Sequence, residues 1–170
     1  IQTLAAATSQ LPHDFPAIRV VNLLQLQQQL TIDTYAENVL AHAQVIIVRL
    51  IGGQAYWSYG LDVVKAIALE TGATLIVVPG DEHPDPTLMS HSTAAFGLAN
   101  QVWRYFIEAG VENYQNLLKF VATKCLDYQT DCGSPRAVPR VGLYHPVGAH
   151  GHAPIPKMSG VGIIFYRAHY

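Results

Sequence analysis

The chain has 170 residues, half of them hydrophobic and 13% charged, which places it in the globular class rather than the disordered one. Against 10 Lys plus Arg stand 12 Asp plus Glu, the net charge is −2, and no basic run occurs, so the electrostatic footprint of a nucleic-acid binder is missing. The longest apolar runs, Val45 to Ile51 and Val161 to Phe165, fall far short of the ~20 residues that span a bilayer.

Gln2 to Leu11 is Ala-rich and predicts a helix that stops before Pro12. Ile18 to Leu23 is a short apolar run with β-branched residues and predicts a buried strand. Thr34-Tyr35-Ala36-Glu37 fits a capping box, and the helix it opens places Ala36, Val39, Leu40 and Ala43 on one face. Val45 to Leu50 predicts the next strand. Leu61, Val64 and Ala68 mark a second helical face, with Gly72 as its C-terminal cap. Thr74 to Val78 predicts a third strand, breaking at Pro79-Gly80-Asp81.

Ser92 to Ala109 is expected as a long helix closed by Gly110. A second helix follows, with Tyr114, Leu117, Leu118, Val121 and Cys125 along one stripe. Asp127 to Arg140 is a polar loop, and Val141 to Tyr144 and Val161 to Tyr166 read as two more strands. Strands alternating with helices of this length indicate βαβ units and a parallel sheet. The expected architecture is therefore α/β: a parallel, flavodoxin- or Rossmann-like sheet with flanking helices, then a helical pair, then a short C-terminal strand pair opening the next subdomain. Residues 1–126 form the α/β domain with its helical extension, and residues 127–170 the linker and the start of the next α/β segment.

In open α/β sheets ligands bind beyond the carboxyl ends of the strands. Two loops lie there, Gly52-Gly53-Gln54-Ala55-Tyr56-Trp57 and Pro79-Gly80-Asp81-Glu82-His83-Pro84-Asp85. Their glycines, aromatics, carboxylates and His83 suit a planar ligand or a metal. The plainer reading is preferred: Pro79-Gly80 is a turn, Asp85 caps a helix with Pro86 at its first position, and Tyr56 and Trp57 pack. His145, His150 and His152 can ligate a transition metal, but their spacing matches no zinc motif, and a connecting loop is the preferred reading. Cys125 and Cys132 lack C-x-x-C spacing and read as free thiols of a reducing compartment, with a disulfide as the lesser alternative. The chain holds no G-x-x-x-x-G-K-[ST], no G-x-G-x-x-G after a strand and no G-x-S-x-G, so it is not a P-loop ATPase, a dinucleotide site is unsupported, and the pattern weighs against an α/β-hydrolase.

The most distinctive string is Val161-Gly162-Ile163-Ile164-Phe165-Tyr166-Arg167-Ala168-His169, a strand running into a Tyr-Arg-x-His corner. Three further stretches precede it: Val78-Pro79-Gly80-Asp81, then Trp103-Arg104-Tyr105 through Gly110 to Asn116-Leu117-Leu118, then Pro139-Arg140-Val141-Gly142-Leu143-Tyr144-His145-Pro146. Taken in this order, the four resemble the large-subunit family of cobaltochelatase, which includes the magnesium chelatase H subunit. The resemblance runs from about the first strand to the end of the chain. In that family the chain continues for many hundreds of residues, so this sequence is expected to be an N-terminal fragment that is inactive alone.

The resemblance implies an ATP-dependent cobalt chelatase that inserts Co²⁺ into a corrin-type ring in cobalamin biosynthesis. The large subunit binds tetrapyrrole and metal, and an AAA+ ATPase subunit with a companion subunit hydrolyses ATP. Co²⁺, or Mg²⁺, enters as the substrate metal, ATP sits on the partner subunits, and no cofactor, catalytic residue or metal site is expected in this chain. Tyr166, Arg167 and His169 are the foremost substrate-contact candidates, followed by Tyr144 and His145. A salt-bridged corner between subdomains is an equal reading for Arg167 and His169. The compartment implied is cytoplasmic. Two alternatives stay open: a magnesium chelatase H-type subunit acting on protoporphyrin, and a non-enzymatic flavodoxin-like module that binds a ligand or partner. The resemblance also suggests a strand just upstream of Ile1. Without it, Ile18–Leu23 is expected to pair directly with Val45–Leu50.

Overall fold

The computed structural model describes residues 2–137. The predicted strands Val141–Tyr144 and Val161–Tyr166 lie outside them. The elements are α1 (Gln2–Thr8), α2 (Gln29–Asn38), β1 (Val45–Leu50), α3 (Ser58–Thr71), β2 (Thr74–Pro79), α4 (Pro86–Met89), α5 (Phe96–Glu108) and α6 (Val111–Cys125). Short 3-10 turns occupy Leu23–Leu26, Leu40–His42 and Gln54–Trp57.

Among the described residues the sheet has two strands, β1 and β2, parallel and in register from Val45↔Thr74 to Leu50↔Pro79. Period-two alternation of side chains divides its contacts between two layers. Ile46, Val48 and Leu50 of β1 join Leu75 and Val77 of β2 in one core with Leu61, Val64 and Ala68 of α3 and Ile32 of α2. Ile76 and Val78 pack on the opposite face with Val102 and Tyr105 of α5 and Leu117, Phe120 and Val121 of α6. Helices on both faces are what a continuous apolar parallel strand requires, and Leu75 to Val78 are all fully buried. Leu88 and Met89 of α4, adjacent in sequence, enter one core each. On the α6 side, α1 packs against α6.

The expected strand Ile18–Leu23 does not form. A strand exists only through a ladder, and no described strand runs beside this segment. Ile18 and Val20 stay 39% and 45% exposed. The chain then tightens into the Leu23–Leu26 turn, where the Asn22 side chain accepts from the Leu24 N–H at 3.1 Å. The expected ladder between Ile18–Leu23 and Val45–Leu50 is therefore corrected: β1 pairs with β2. The mixed α/β class with a parallel sheet and flanking helices stands, while two strands fall short of a flavodoxin- or Rossmann-like sheet.

Three helix boundaries shift, each for a local reason. Thr34 lies inside α2, which begins a turn earlier at Gln29 because Ile32 and Ala36 supply its buried face. The Thr34 carbonyl accepts from Asn38 Nδ2, and α2 ends before Val39, so Val39, Leu40 and Ala43 fall beyond it. At α1, Thr8 and Ser9 turn their hydroxyls onto the Ala5 and Ala6 carbonyls, and the helix closes there rather than at Leu11. Finally, α5 starts at Phe96, not Ser92, because Ser92 to Ala94 close the outer edge of β2. Ser92 Oγ accepts from Val77 N at 2.9 Å, Thr93 Oγ1 from Leu75 N at 2.8 Å, and the Thr93 and Ala94 amides donate to the Leu75 carbonyl. By contrast α3 follows the sequence closely, with Leu61, Val64 and Ala68 buried and Gly72 ending it in the left-handed region at φ 74°.

Candidate functional site

The loops after β1 and β2 meet at the carboxyl end of the sheet. Gly52 and Gly53 take φ 88° and 73°, which turns the chain at once from β1 into the Gln54–Trp57 turn and α3. Across from them, Gly80 N–H donates to the Leu50 carbonyl at 2.6 Å, and a Cβ on Gly80 would collide with Ile51. His91 Nε2 and Gln54 Oε1, 3.1 Å apart, tie the segment after α4 to the first loop.

Arg49 is the one charge in the apolar run of β1, and it reaches over this end of the sheet. Its Nη2 donates to the Gly80 carbonyl at 2.7 Å, and its Cζ lies 5.2 Å from the centre of the Phe106 ring, within cation–π range. Its Nε is buried and has no hydrogen-bond acceptor among the described residues. Beside it, Trp103 Nε1 donates to the Asp81 carbonyl at 3.1 Å.

The plainer reading of the second loop describes what is found. Asp81 Oδ1 accepts from His83 N at 3.0 Å, a local turn, and Asp85 Oδ1 accepts from Leu88 N at 2.9 Å with Pro86 at the first helical position. The aromatics of the first loop part company. Trp57 packs, 6% exposed, with Nε1 on the Leu26 carbonyl, while Tyr56 is 54% exposed, its hydroxyl accepting from Gln27 Nε2. Among the described residues, no three His, Cys, Asp or Glu side chains gather into a set that could hold a metal ion.

Tyr144, His145, Tyr166, Arg167 and His169, with His150 and His152, lie outside the described residues. Cys125 and Cys132 are free thiols, half-buried against the α5–α6 core, and burial pushes the Cys125 thiol up. An open groove of about 440 Å³ lies apart from the strand ends, lined by Ala5, Thr8, Leu11, Phe15, Ile18 and Val20 among others, and none of its residues is titratable. The site residues that sequence reasoning passed over are Arg49, Phe106 and Trp103. The signal for Arg49 was there: a lone cation in an otherwise apolar strand needs a reason.

Residues 103–170 match the family model described as CobN/Magnesium Chelatase. The chain is 40% identical, over 98% of its length, to the aerobic cobaltochelatase subunit CobN of Pseudomonas aeruginosa, and covers 14% of that protein. A second CobN, from Sinorhizobium, is 36% identical over 62% of this chain and 8% of its own length. Among solved structures, the catalytic subunit of cobaltochelatase from Mycobacterium tuberculosis superimposes with a TM-score of 0.66 at 28% identity, over 84% of this chain and 11% of that one.

Proposed function

From the membership of this chain in the CobN/magnesium chelatase family, we propose that it serves as part of the tetrapyrrole- and metal-binding subunit of an ATP-dependent cobalt chelatase. The reaction is insertion of Co²⁺ into a corrin-type ring, driven by ATP that an AAA+ partner and a companion subunit handle in the cytoplasm. The observation that carries this reading is the 40% identity over 98% of the chain to a cobaltochelatase subunit. The absence of a phosphate-binding loop fits a division of labour in which ATP is hydrolysed elsewhere. Tyr166, Arg167 and His169, then Tyr144 and His145, are the residues we assign to ring contact.

Magnesium chelation on protoporphyrin is the second reading, because the matching family model spans both. Cobalt comes first because each of the three named relatives is a cobaltochelatase subunit. The test is a hybrid in which this chain replaces the matching stretch of the Pseudomonas subunit, assayed with its partner subunits. Co²⁺ insertion at a rate comparable with the parent is expected. A folded hybrid that assembles with its partners yet inserts no cobalt would overturn the reading, and insertion of Mg²⁺ into protoporphyrin would favour the second.

A further inference from the structure

Arg49 combines features that a purely structural arginine does not need. It stands at the carboxyl end of β1, where parallel sheets hold their ligands. It is half-buried, and none of the ion pairs among the described residues includes it; of the acids in the second loop, Asp81 serves its turn, Asp85 caps α4, and Glu82 has an interaction of its own. One of its nitrogens donates to Gly80, while Nε is buried without an acceptor among the described residues. A half-buried cation with one buried, unmet donor is costly, and such a donor in a folded protein calls for an acceptor. The guanidinium carbon lies 5.2 Å from the centre of the Phe106 ring and Nη2 is tethered to the Gly80 carbonyl, so the side chain is held at this end of the sheet. A planar fork of N–H groups matches a carboxylate, which accepts two parallel bonds.

We propose that Arg49 anchors a carboxylate-binding subsite at the carboxyl ends of β1 and β2. Two sources supply that chemistry: a carboxylate side chain of a tetrapyrrole ring, or an acidic side chain from polypeptide outside the described residues. The first source rests on the chelatase reading above, and the second does not.

The experiment uses the 170-residue chain, with calorimetric titration for binding and calorimetric melting for stability. Uroporphyrin, which carries eight carboxylates, is compared with its neutral methyl ester, and sodium propionate with neutral propionamide. If the ring is the source, uroporphyrin binds saturably, the ester does not, and Arg49→Gln weakens binding at least ~10-fold while Arg49→Lys restores part of it. If a protein side chain is the source, uroporphyrin binding is absent or indifferent to Arg49. Propionate then raises the melting temperature saturably in the parent chain and not in Arg49→Gln. Both patterns support the subsite. Ester and propionamide acting as well as the acids, or neither carboxylate showing any dependence on Arg49, overturns it. Should Arg49→Gln fail to fold, Arg49→Lys carries the comparison, since it keeps the charge and loses the planar fork: binding or protection weakened in Arg49→Lys supports the subsite, and binding equal to the parent's overturns it. Cobalt insertion by the hybrid is read separately, so failure of the subsite leaves the chelatase reading standing, and the reverse.

Discussion

Gly60 sits in the first turn of α3 with its α-carbon against the indole of Trp57, and a Cβ there would overlap the six-membered ring. The indole in turn donates to the Leu26 carbonyl at 3.0 Å. It cannot retreat without giving up a buried hydrogen bond. Gly60→Ala is expected to destabilise the chain by about 1–3 kcal/mol, despite the better helix propensity of alanine. Urea unfolding followed by circular dichroism measures it, and an unchanged midpoint would show that the ring shifts freely. Also on α3, Tyr59 donates to both carboxylate oxygens of Asp33, at 2.9 and 3.0 Å. That hydrogen bond first, then burial and the Asp33 charge, raise the phenol above its ordinary 10.0. A raised folded value means that the folded state holds the proton more tightly than the unfolded one. The contribution is therefore full below about pH 10 and lost as pH climbs through the folded value. The stability gap between the parent chain and Tyr59→Phe should be visible near neutral pH and close at high pH. A gap that widens with pH would contradict this sign. At this scale the sequence was a partial guide. Asp85 announced its capping role through the proline behind it, whereas Tyr56 and Trp57 are neighbours of similar chemistry, and only the path of the turn decides which is buried.

The edge of β2 shows how an element can be completed without another strand. Two hydroxyls and two amides from Ser92 to Ala94 meet the outward backbone groups of Leu75 and Val77. Thr93→Val keeps the shape of the side chain but leaves the Leu75 N–H without an acceptor in a buried place. It is expected to cost about 1–3 kcal/mol, and Ser92→Ala a similar amount at Val77. Denaturant midpoints of the two variants and the parent decide it, and a cost near zero for both would mean that water reaches this edge. This closure was invisible in sequence because hydroxyl residues preceding a helix read naturally as its first turn. Ile18–Leu23 failed in the opposite way. Its composition suits a strand, but strand formation depends on a neighbour that the segment's own residues do not encode. α3 and β2 were legible because each carries its own instructions: apolar spacing and a glycine cap in one, a continuous apolar run ended by Pro79-Gly80 in the other.

Over the whole molecule the two cores share one thin sheet and are pinned together by α4, which gives Leu88 to one and Met89 to the other. The segment after α6 is bound back onto this body. Buried Asn113 accepts from Arg136 N at 2.8 Å and donates to the Arg136 carbonyl at 2.9 Å, Tyr105 OH donates to the Gly133 carbonyl at 2.6 Å, and Asn116 accepts from Gly133 N. Asn113→Leu is expected to free this segment, seen as faster tryptic cleavage at Arg136 while the body of the domain resists. Equal cleavage rates would show that the other contacts suffice. The purified chain is also expected to turn over no ATP above background, since it has no phosphate-binding loop. ATP hydrolysis retained through purification would overturn that.

The chain has two tryptophans, and the fold sends them to opposite sides of the sheet. Trp57 is sealed in the α2–α3 layer, where its emission should be blue-shifted and insensitive to soluble quenchers. Trp103 is only partly buried on the α5 side, its indole on the Asp81 carbonyl, so iodide should reach it and shift the spectrum toward the red. Replacing either by phenylalanine therefore leaves a single tryptophan, which reports on one layer when excited at the red edge of its absorption, where the nine tyrosines do not absorb. The pair turns an optical measurement into a way of asking which side of the molecule loosens first.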